Sequence, residues 1–146
     1  MRLALSFIIS FLIFNATESY SQKKITWEDL TDVEFKEKFV KSVDAYYLFP
    51  EFGPTVKAMN GKEISIAGYM LVMDPGGDFF VLSKGPFASC FFCGAAGPET
   101  IIEVQFKDKK HKKYKMDDKV VLKGRLKLNT EDIEHCNYIL EDASEL

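Results

Sequence analysis

The sequence has few histidines and cysteines, two residue types that are common in catalytic and metal sites. It contains two histidines and three cysteines among 146 residues. It has no G-x-S-x-G, H-E-x-x-H or phosphate-loop pattern, no G-x-G-x-x-G after a predicted strand, and no internal repeat. These absences argue against the common hydrolase, metalloprotease and nucleotide-binding classes. They favour a protein that binds rather than catalyses.

The sequence also lacks an excess of positive charge. Its formal net charge is −3, whereas proteins that bind nucleic acid gain affinity from Lys and Arg at phosphates. We therefore expect no nucleic-acid partner. The exception to the acidic balance is a cluster of lysines around His111, within residues 107–115. We interpret this cluster as a solvated hairpin tip between two strands, with contact to an anionic surface or partner as the alternative.

Only one long hydrophobic run occurs, and it lies near the N-terminus. Arg2 precedes an apolar run over residues 3–14, which is shorter than the roughly 20 residues of a membrane-spanning helix. Ser19 and Ser21 are the small residues that signal peptidase requires, so we expect cleavage before Gln22. The sequence thus predicts a signal peptide over 1–21 and an exported protein, periplasmic or secreted, without a transmembrane span after processing.

The remaining chain of about 125 residues is long enough for one domain with its own core. We divide it into an N-terminal capping segment over 22–62 and a barrel over 63–146. Thr26 and Asp29 have the spacing of a capping box, which predicts a short helical turn. The pattern over 33–52 is ambiguous, because part of it fits helical spacing and its aromatic run is typical of a strand. We treat this segment as α-helical or irregular.

Beyond residue 60 the two-residue period of β-strands is clear. Gly68 and Gly124 fall in the middle of two strands and allow sharp bends. Five strands with such bends predict a mainly β protein, a small five-stranded antiparallel OB-like barrel. The predicted strands cover residues 64–70, 79–82, 100–106, 119–128 and 136–141. The predicted core residues are Ile64, Ile66, Leu122, Leu126, Tyr138 and Leu140.

The one segment with obvious chemical potential is the Cys90-Phe91-Phe92-Cys93 loop between the second and third strands. A structural disulfide suits an oxidising compartment, but a ring of about four residues gains only about 2 kcal/mol. A metal site for Zn or Cu would use Cys90, Cys93 and His135. A thiol-disulfide redox pair is the third interpretation, although the glycines and proline that follow cannot form the activating helix. These three alternatives remain open.

Two further features concern the surroundings of this loop. Phe91 and Phe92 lie inside it, where at least one ring must stay exposed and available for contact with a partner. Cys136 alternates with Tyr138 and Leu140, which predicts a buried free thiol that packs as a small apolar residue.

The motif C-F-F-C-G-x-A-G-P-E at 90–99, together with residues 68–70, 80–83 and 137–142, resembles a family of small exported bacterial proteins of unassigned function. The resemblance covers about the whole mature chain, and the C-F-F-C-G segment is its most specific part. The resemblance implies an OB-like barrel without an established activity, association with a metal-uptake or other ABC-transporter system, and an apolar residue at the position of Cys136.

These observations together favour an exported, non-enzymatic binding or accessory module that handles Zn or Cu through the cysteine loop. The alternatives are a thiol-disulfide redox protein that uses Cys90 and Cys93, or a structural barrel in which their disulfide shapes a loop for an unidentified protein partner.

Overall fold

The computed structural model describes residues 23–74, 76, 79–94, 96–108 and 110–146. The predicted signal peptide and its cleavage site before Gln22 lie outside these residues. No helix in the described part of the chain is long and apolar enough to cross a membrane.

The chain folds into a closed five-stranded barrel preceded by a two-stranded hairpin. The elements in chain order are β1 (Lys23–Lys24), β2 (Val33–Val40), β3 (Ala45–Phe52), α1 (Pro54–Lys57), β4 (Glu63–Val72), β5 (Phe80–Ser83), β6 (Ile101–Phe106), β7 (Asp118–Leu128) and β8 (Tyr138–Glu145), with short 3₁₀ helices at Trp27–Leu30, Phe87–Ser89, Phe91–Cys93 and Pro98–Thr100. The barrel order is β4-β5-β6-β8-β7, and pairing of β7 with β4 closes the ring. This is the strand order of an OB-like barrel, which confirms the predicted fold class.

One of the ring pairings is parallel, between β6 and β8. Strand directions cannot alternate all the way around a closed ring with an odd number of strands, so at least one pairing must be parallel. This geometry also corrects the interpretation of the lysine cluster. Because β6 pairs with β5 and β8, and β7 pairs with β4 and β8, the segment between β6 and β7 is a crossover loop and not a hairpin tip.

The barrel interior contains the side chains predicted from the two-residue period. The six predicted core residues are at most 1% exposed: Ile64, Ile66, Leu122, Leu126, Tyr138 and Leu140. The Tyr138 hydroxyl, buried with them, donates a hydrogen bond of 2.7 Å to the carbonyl oxygen of Leu30. This bond satisfies a polar group inside the core and ties the N-terminal turn to the barrel.

The two mid-strand glycines stand where neighbouring strands approach closely. A Cβ atom on Gly124 would lie 2.6 Å from the carbonyl oxygen of Glu141, and one on Gly68 would lie 2.7 Å from that of Ser83. The register between β7 and β8 shifts at Gly124. The glycines therefore permit the bends that close so small a barrel.

The predicted helical turn near the N-terminus is present as the 3₁₀ helix Trp27–Leu30. The Asp29 carboxylate accepts hydrogen bonds from the backbone N–H and the hydroxyl of Thr26, at 2.7 and 3.0 Å. Trp27 packs into the core and donates its indole N–H to the carbonyl oxygen of Ala67 at 2.8 Å. The turn thus covers the barrel beside β4.

The ambiguous segment 33–52 forms the β2–β3 hairpin. Helical spacing of Phe35 and Phe39 is overridden because Phe39 pairs across the hairpin with Tyr46, their rings 5.1 Å apart. Near the barrel, the hairpin buries Phe52 in the core. Toward its turn it leaves Phe39, Tyr46 and Leu48 between 45% and 66% exposed. The hairpin therefore projects apolar surface away from the barrel.

Candidate binding cleft

The cysteine loop covers the outer face of the barrel rather than its interior. Leu71 on β4, Val81 on β5 and Ile101 on β6 form a small apolar cluster on that outer face. Cys90 is 1% exposed and packs into this cluster. Met73, Phe91 and Cys136 pack around it. Burial of Cys90 therefore anchors the whole loop to the barrel wall.

The loop itself is a pair of 3₁₀ turns joined at Cys90. The second turn ends at Gly94, whose φ of 71° lies in the left-handed region that favours glycine. Phe92 and Cys93 face solvent, whereas Phe91 is half-buried. The Cys93 thiol donates to the carbonyl oxygen of Phe87 at 3.0 Å. The loop thus combines one buried and one accessible thiol.

The cysteines are free in this structure. Desolvation of the sulfur and the neighbouring Cys90 thiol raise the pKa of Cys93 above its ordinary value. Burial, followed by the nearby Glu103 carboxylate, raises the pKa of Cys136 to about 12. A raised thiol pKa lowers the thiolate fraction, which works against nucleophilic chemistry at Cys93 and Cys136.

A buried carboxylate holds the segment that precedes β8. Glu103 is 4% exposed and lies on β6 next to the apolar cluster. Its oxygens lie 2.9 and 3.0 Å from Nδ1 of His135, which must donate to the carboxylate, and they accept the Cys136 N–H at 3.1 Å. Gln105 donates a further bond of 2.9 Å. Glu103 thus fixes the position of the His135 imidazole through its Nδ1 atom.

Asn129 organises the remainder of the loop over residues 129–137. Its side-chain oxygen accepts the N–H groups of Glu131 and Asp132, and its amide donates to the Asp132 carbonyl oxygen at 2.7 Å. Its backbone N–H donates to the carbonyl oxygen of Asn137 at 2.9 Å. These bonds join the first and last residues of the loop and fix the turn at its start.

A cleft of about 300 Å³ separates this loop from the hairpin. Residues Tyr46 to Phe49 of β3 form one wall, and residues of the 129–137 loop form the other. Phe91 from the cysteine loop and Pro98 complete the lining. We call this space the hairpin cleft. It brings together the aromatic hairpin, one phenylalanine of the cysteine loop and His135.

The predicted metal ligands are distributed differently from the expectation. Cys90 and Cys93 are neighbours, but the imidazole of His135 is bound by Glu103. Among the described residues, no group of three or more His, Cys, Asp or Glu side chains is placed to hold a metal ion. The structure therefore does not bring Cys90, Cys93 and His135 together as one ligand set.

The sequence analysis did not identify the hairpin wall of the cleft or the carboxylate that supports the facing loop. Glu103 is the lone acidic residue of strand β6, in which Gln105 is the other polar residue, and that isolation is the signal that could have marked it. The hairpin gave a weaker signal, the aromatic run at 46–49.

Comparison with known proteins yields one informative similarity, and it concerns the fold. No protein-family model matches the chain, and no curated protein matches it. The chain is similar to the crystal structure of a DUF3299 family protein from Pseudomonas aeruginosa PAO1, with a TM-score of 0.52 and 14% sequence identity. The match covers 86% of this chain and 97% of that one. At this identity the similarity extends to the barrel fold, shared with a protein of a family without an assigned function.

Proposed function

We propose that this chain is an exported, non-enzymatic binding module whose binding site is the hairpin cleft. The observation that carries the proposal is the cleft itself, about 300 Å³ in volume and lined by Tyr46 to Phe49 and Phe91. Ligand sites are concave, mostly apolar and furnished with a few polar groups. Here the polar groups come from the 129–137 loop.

The walls of the cleft are rigidly supported, as expected of a binding site and not of an incidental depression in the surface. Glu103 fixes the loop at His135 and Cys136, and Asn129 fixes it at Asp132. Cys90 anchors the loop that carries Phe91. A site whose walls are held by buried contacts loses less entropy when it binds. The exposed apolar side chains of the hairpin next to it are consistent with a partner surface.

The proposal is tested by selecting ligands from a random twelve-residue phage-displayed peptide library on the mature chain. Thr130→Trp places a large ring in the cleft, while Lys57→Trp adds the same ring on α1, away from it. We expect the selected peptides to lose at least about tenfold in affinity with Thr130→Trp and less than twofold with Lys57→Trp. Peptides that bind both variants as they bind the parent would place the site elsewhere.

A second function, binding of a soft metal ion, is favoured by one specific observation. Cys90 and Cys93 flank one 3₁₀ turn, in which the Cys93 N–H donates to the carbonyl oxygen of Cys90 at 3.2 Å. Soft thiolate ligands select Cu⁺, whereas a structural Zn²⁺ site needs four ligands. Two thiols with no third ligand among the described residues therefore favour Cu⁺.

The metal proposal is tested with reduced protein under anaerobic conditions. We expect about one equivalent of Cu⁺ to be taken from a chromophoric Cu⁺ chelator, with release of protons. Replacing both Cys90 and Cys93 with Ser should abolish uptake, and Cys136→Ser should leave it nearly intact. Equal uptake by the double variant and the parent would contradict a site at this pair.

A further inference from the structure

The wall that the hairpin presents to the cleft is the backbone edge of a strand. Side chains alternate between the two faces of a β-strand, yet four consecutive residues, Tyr46 to Phe49, line the same cleft. Consecutive residues can share one cavity only if the cavity runs along the strand edge. The opposite edge of β3 is occupied by β2. The cleft therefore lies along the open edge of β3.

The backbone groups on this edge have no partner across the cleft. Within the described residues, no hydrogen bond joins the main chain of Tyr46 to Phe49 to the facing loop. Unpaired N–H and C=O groups on an edge strand are a ready template for another strand. A two-stranded hairpin is also only marginally stable, and a third strand with an apolar face would stabilise it.

The loop that forms the facing wall carries negative charge. Glu131 and Asp132 line the cleft, and Glu134 follows them in the same loop. All three are exposed, and none forms an ion pair with a described residue. A ligand between β3 and this loop would meet a hydrogen-bonding edge on one side and carboxylates on the other. That combination fits an extended polypeptide that carries Lys or Arg.

We propose that the hairpin cleft captures an extended, basic segment of a partner protein, which adds to β3 as a third strand. The inference rests on the proposed function and specifies its ligand. Four residues of β3 span about 13 Å, enough to pair with a segment of similar length. Main-chain hydrogen bonds to β3 provide affinity, and Glu131 and Asp132 select positive charge. Alternate side chains of the segment extend the exposed apolar face at Tyr46 and Leu48.

The first experiment separates strand pairing from other modes of binding. The probe is a nine-residue peptide that alternates valine with threonine and lysine, together with two forms methylated on the backbone nitrogens of either odd or even residues. Only one of the two methylated sets can face β3. We expect one form to lose at least about tenfold in affinity and the other less than about threefold. Binding should also slow hydrogen exchange at alternate amides of Tyr46 to Phe49.

The second experiment tests the charge selection. Glu131→Gln combined with Asp132→Asn should weaken binding of the unmethylated peptide about three- to tenfold and reduce its salt dependence. Glu34→Gln, an exposed carboxylate on β2 outside the cleft lining, is the matched control and should have little effect. Equal binding to the double variant and the parent would overturn the basic character of the ligand.

The outcomes distinguish this inference from the proposed function. If library peptides occupy the cleft but the alternating peptide does not bind, or both methylated forms bind alike, strand addition is wrong and the cleft remains a binding site. If protection of the β3 amides appears without peptide and rises with protein concentration, the edge pairs with a second copy, and a separate partner is excluded. If no ligand reaches the cleft, both proposals fail.

Discussion

Replacing Glu103 with Gln tests whether this buried carboxylate holds the cleft wall in place. The substitution keeps the size and shape of the side chain and removes its charge. The carboxylate accepts bonds from His135, Gln105 and the Cys136 N–H. An amide has one acceptor oxygen and one donor nitrogen. In the Glu103→Gln variant, the new amide nitrogen therefore faces at least one of these donor groups instead of accepting from it.

The expected cost follows from these contacts. A buried donor left without an acceptor costs about 1 to 3 kcal/mol, and the remaining bonds lose the strength that the charge gave them. Removal of a buried charge recovers part of the desolvation penalty. We therefore expect Glu103→Gln to lower the free energy of unfolding by about 1 to 3 kcal/mol, a large fraction of the stability of a small domain. Mobility should increase over residues 129–137.

Urea unfolding provides the assay, because the single tryptophan, Trp27, is 8% exposed and reports loss of the core. Glu131→Gln removes an exposed carboxylate from the same loop and should change stability by less than about 0.5 kcal/mol. A double-mutant cycle with His135→Ala should give a coupling energy of at least about 0.5 kcal/mol. A Glu103→Gln variant as stable as the parent, with zero coupling, would refute the role assigned to Glu103.

The remaining predictions address the core, a strand bend, a thiol and export. Leu126→Ala should cost about 2 to 5 kcal/mol in urea unfolding, and a loss below about 1 would contradict its placement in the core. Gly124→Ala should cost about 1 to 3 kcal/mol in the same assay, because the new methyl group meets backbone of β8, and an unchanged midpoint would refute the close approach. Because partial burial raises the pKa of Cys136 to about 12, its thiol should react with iodoacetamide at pH 8 about a thousandfold more slowly in the folded than in the unfolded protein, and similar rates would contradict this raised pKa. The intact mass of the exported protein should correspond to a chain that begins at Gln22, and a mass that includes the hydrophobic segment would contradict cleavage there.

Much of the barrel could be predicted because strand periodicity is a local property. Alternation along 119–128 identifies the buried face of β7 without knowledge of its neighbours, and the same holds for Ile64 and Ile66 on β4. The capping turn at Thr26 and Asp29 is equally local, since both partners lie within one turn. The bends at Gly68 and Gly124 follow from residue type alone.

The candidate site could not be predicted to the same extent, because its contacts join residues far apart in sequence. Glu103 and His135 meet because β6 and β8 lie side by side in parallel, and such a pairing between strands far apart in sequence arises only when the ring closes. Its position before the last predicted strand instead suggested His135 as a metal ligand beside Cys90 and Cys93. Cys90 packs against the barrel wall because an apolar cluster lies there. No pattern in the sequence around Cys90 indicates this contact.

By itself, the sequence determined the β class, the positions of the first four barrel strands and the six predicted core residues, since each depends on alternation within one segment. The last strand, predicted over 136–141, extends over Tyr138–Glu145. Only the tertiary structure decided that residues 33–52 form a hairpin, because the pairing of Phe39 with Tyr46 outweighs the helical spacing of Phe35 and Phe39. It also decided that the open edge of β3 faces the acidic loop. Edges and clefts arise from the arrangement of segments in space, so no periodicity within a segment specifies them.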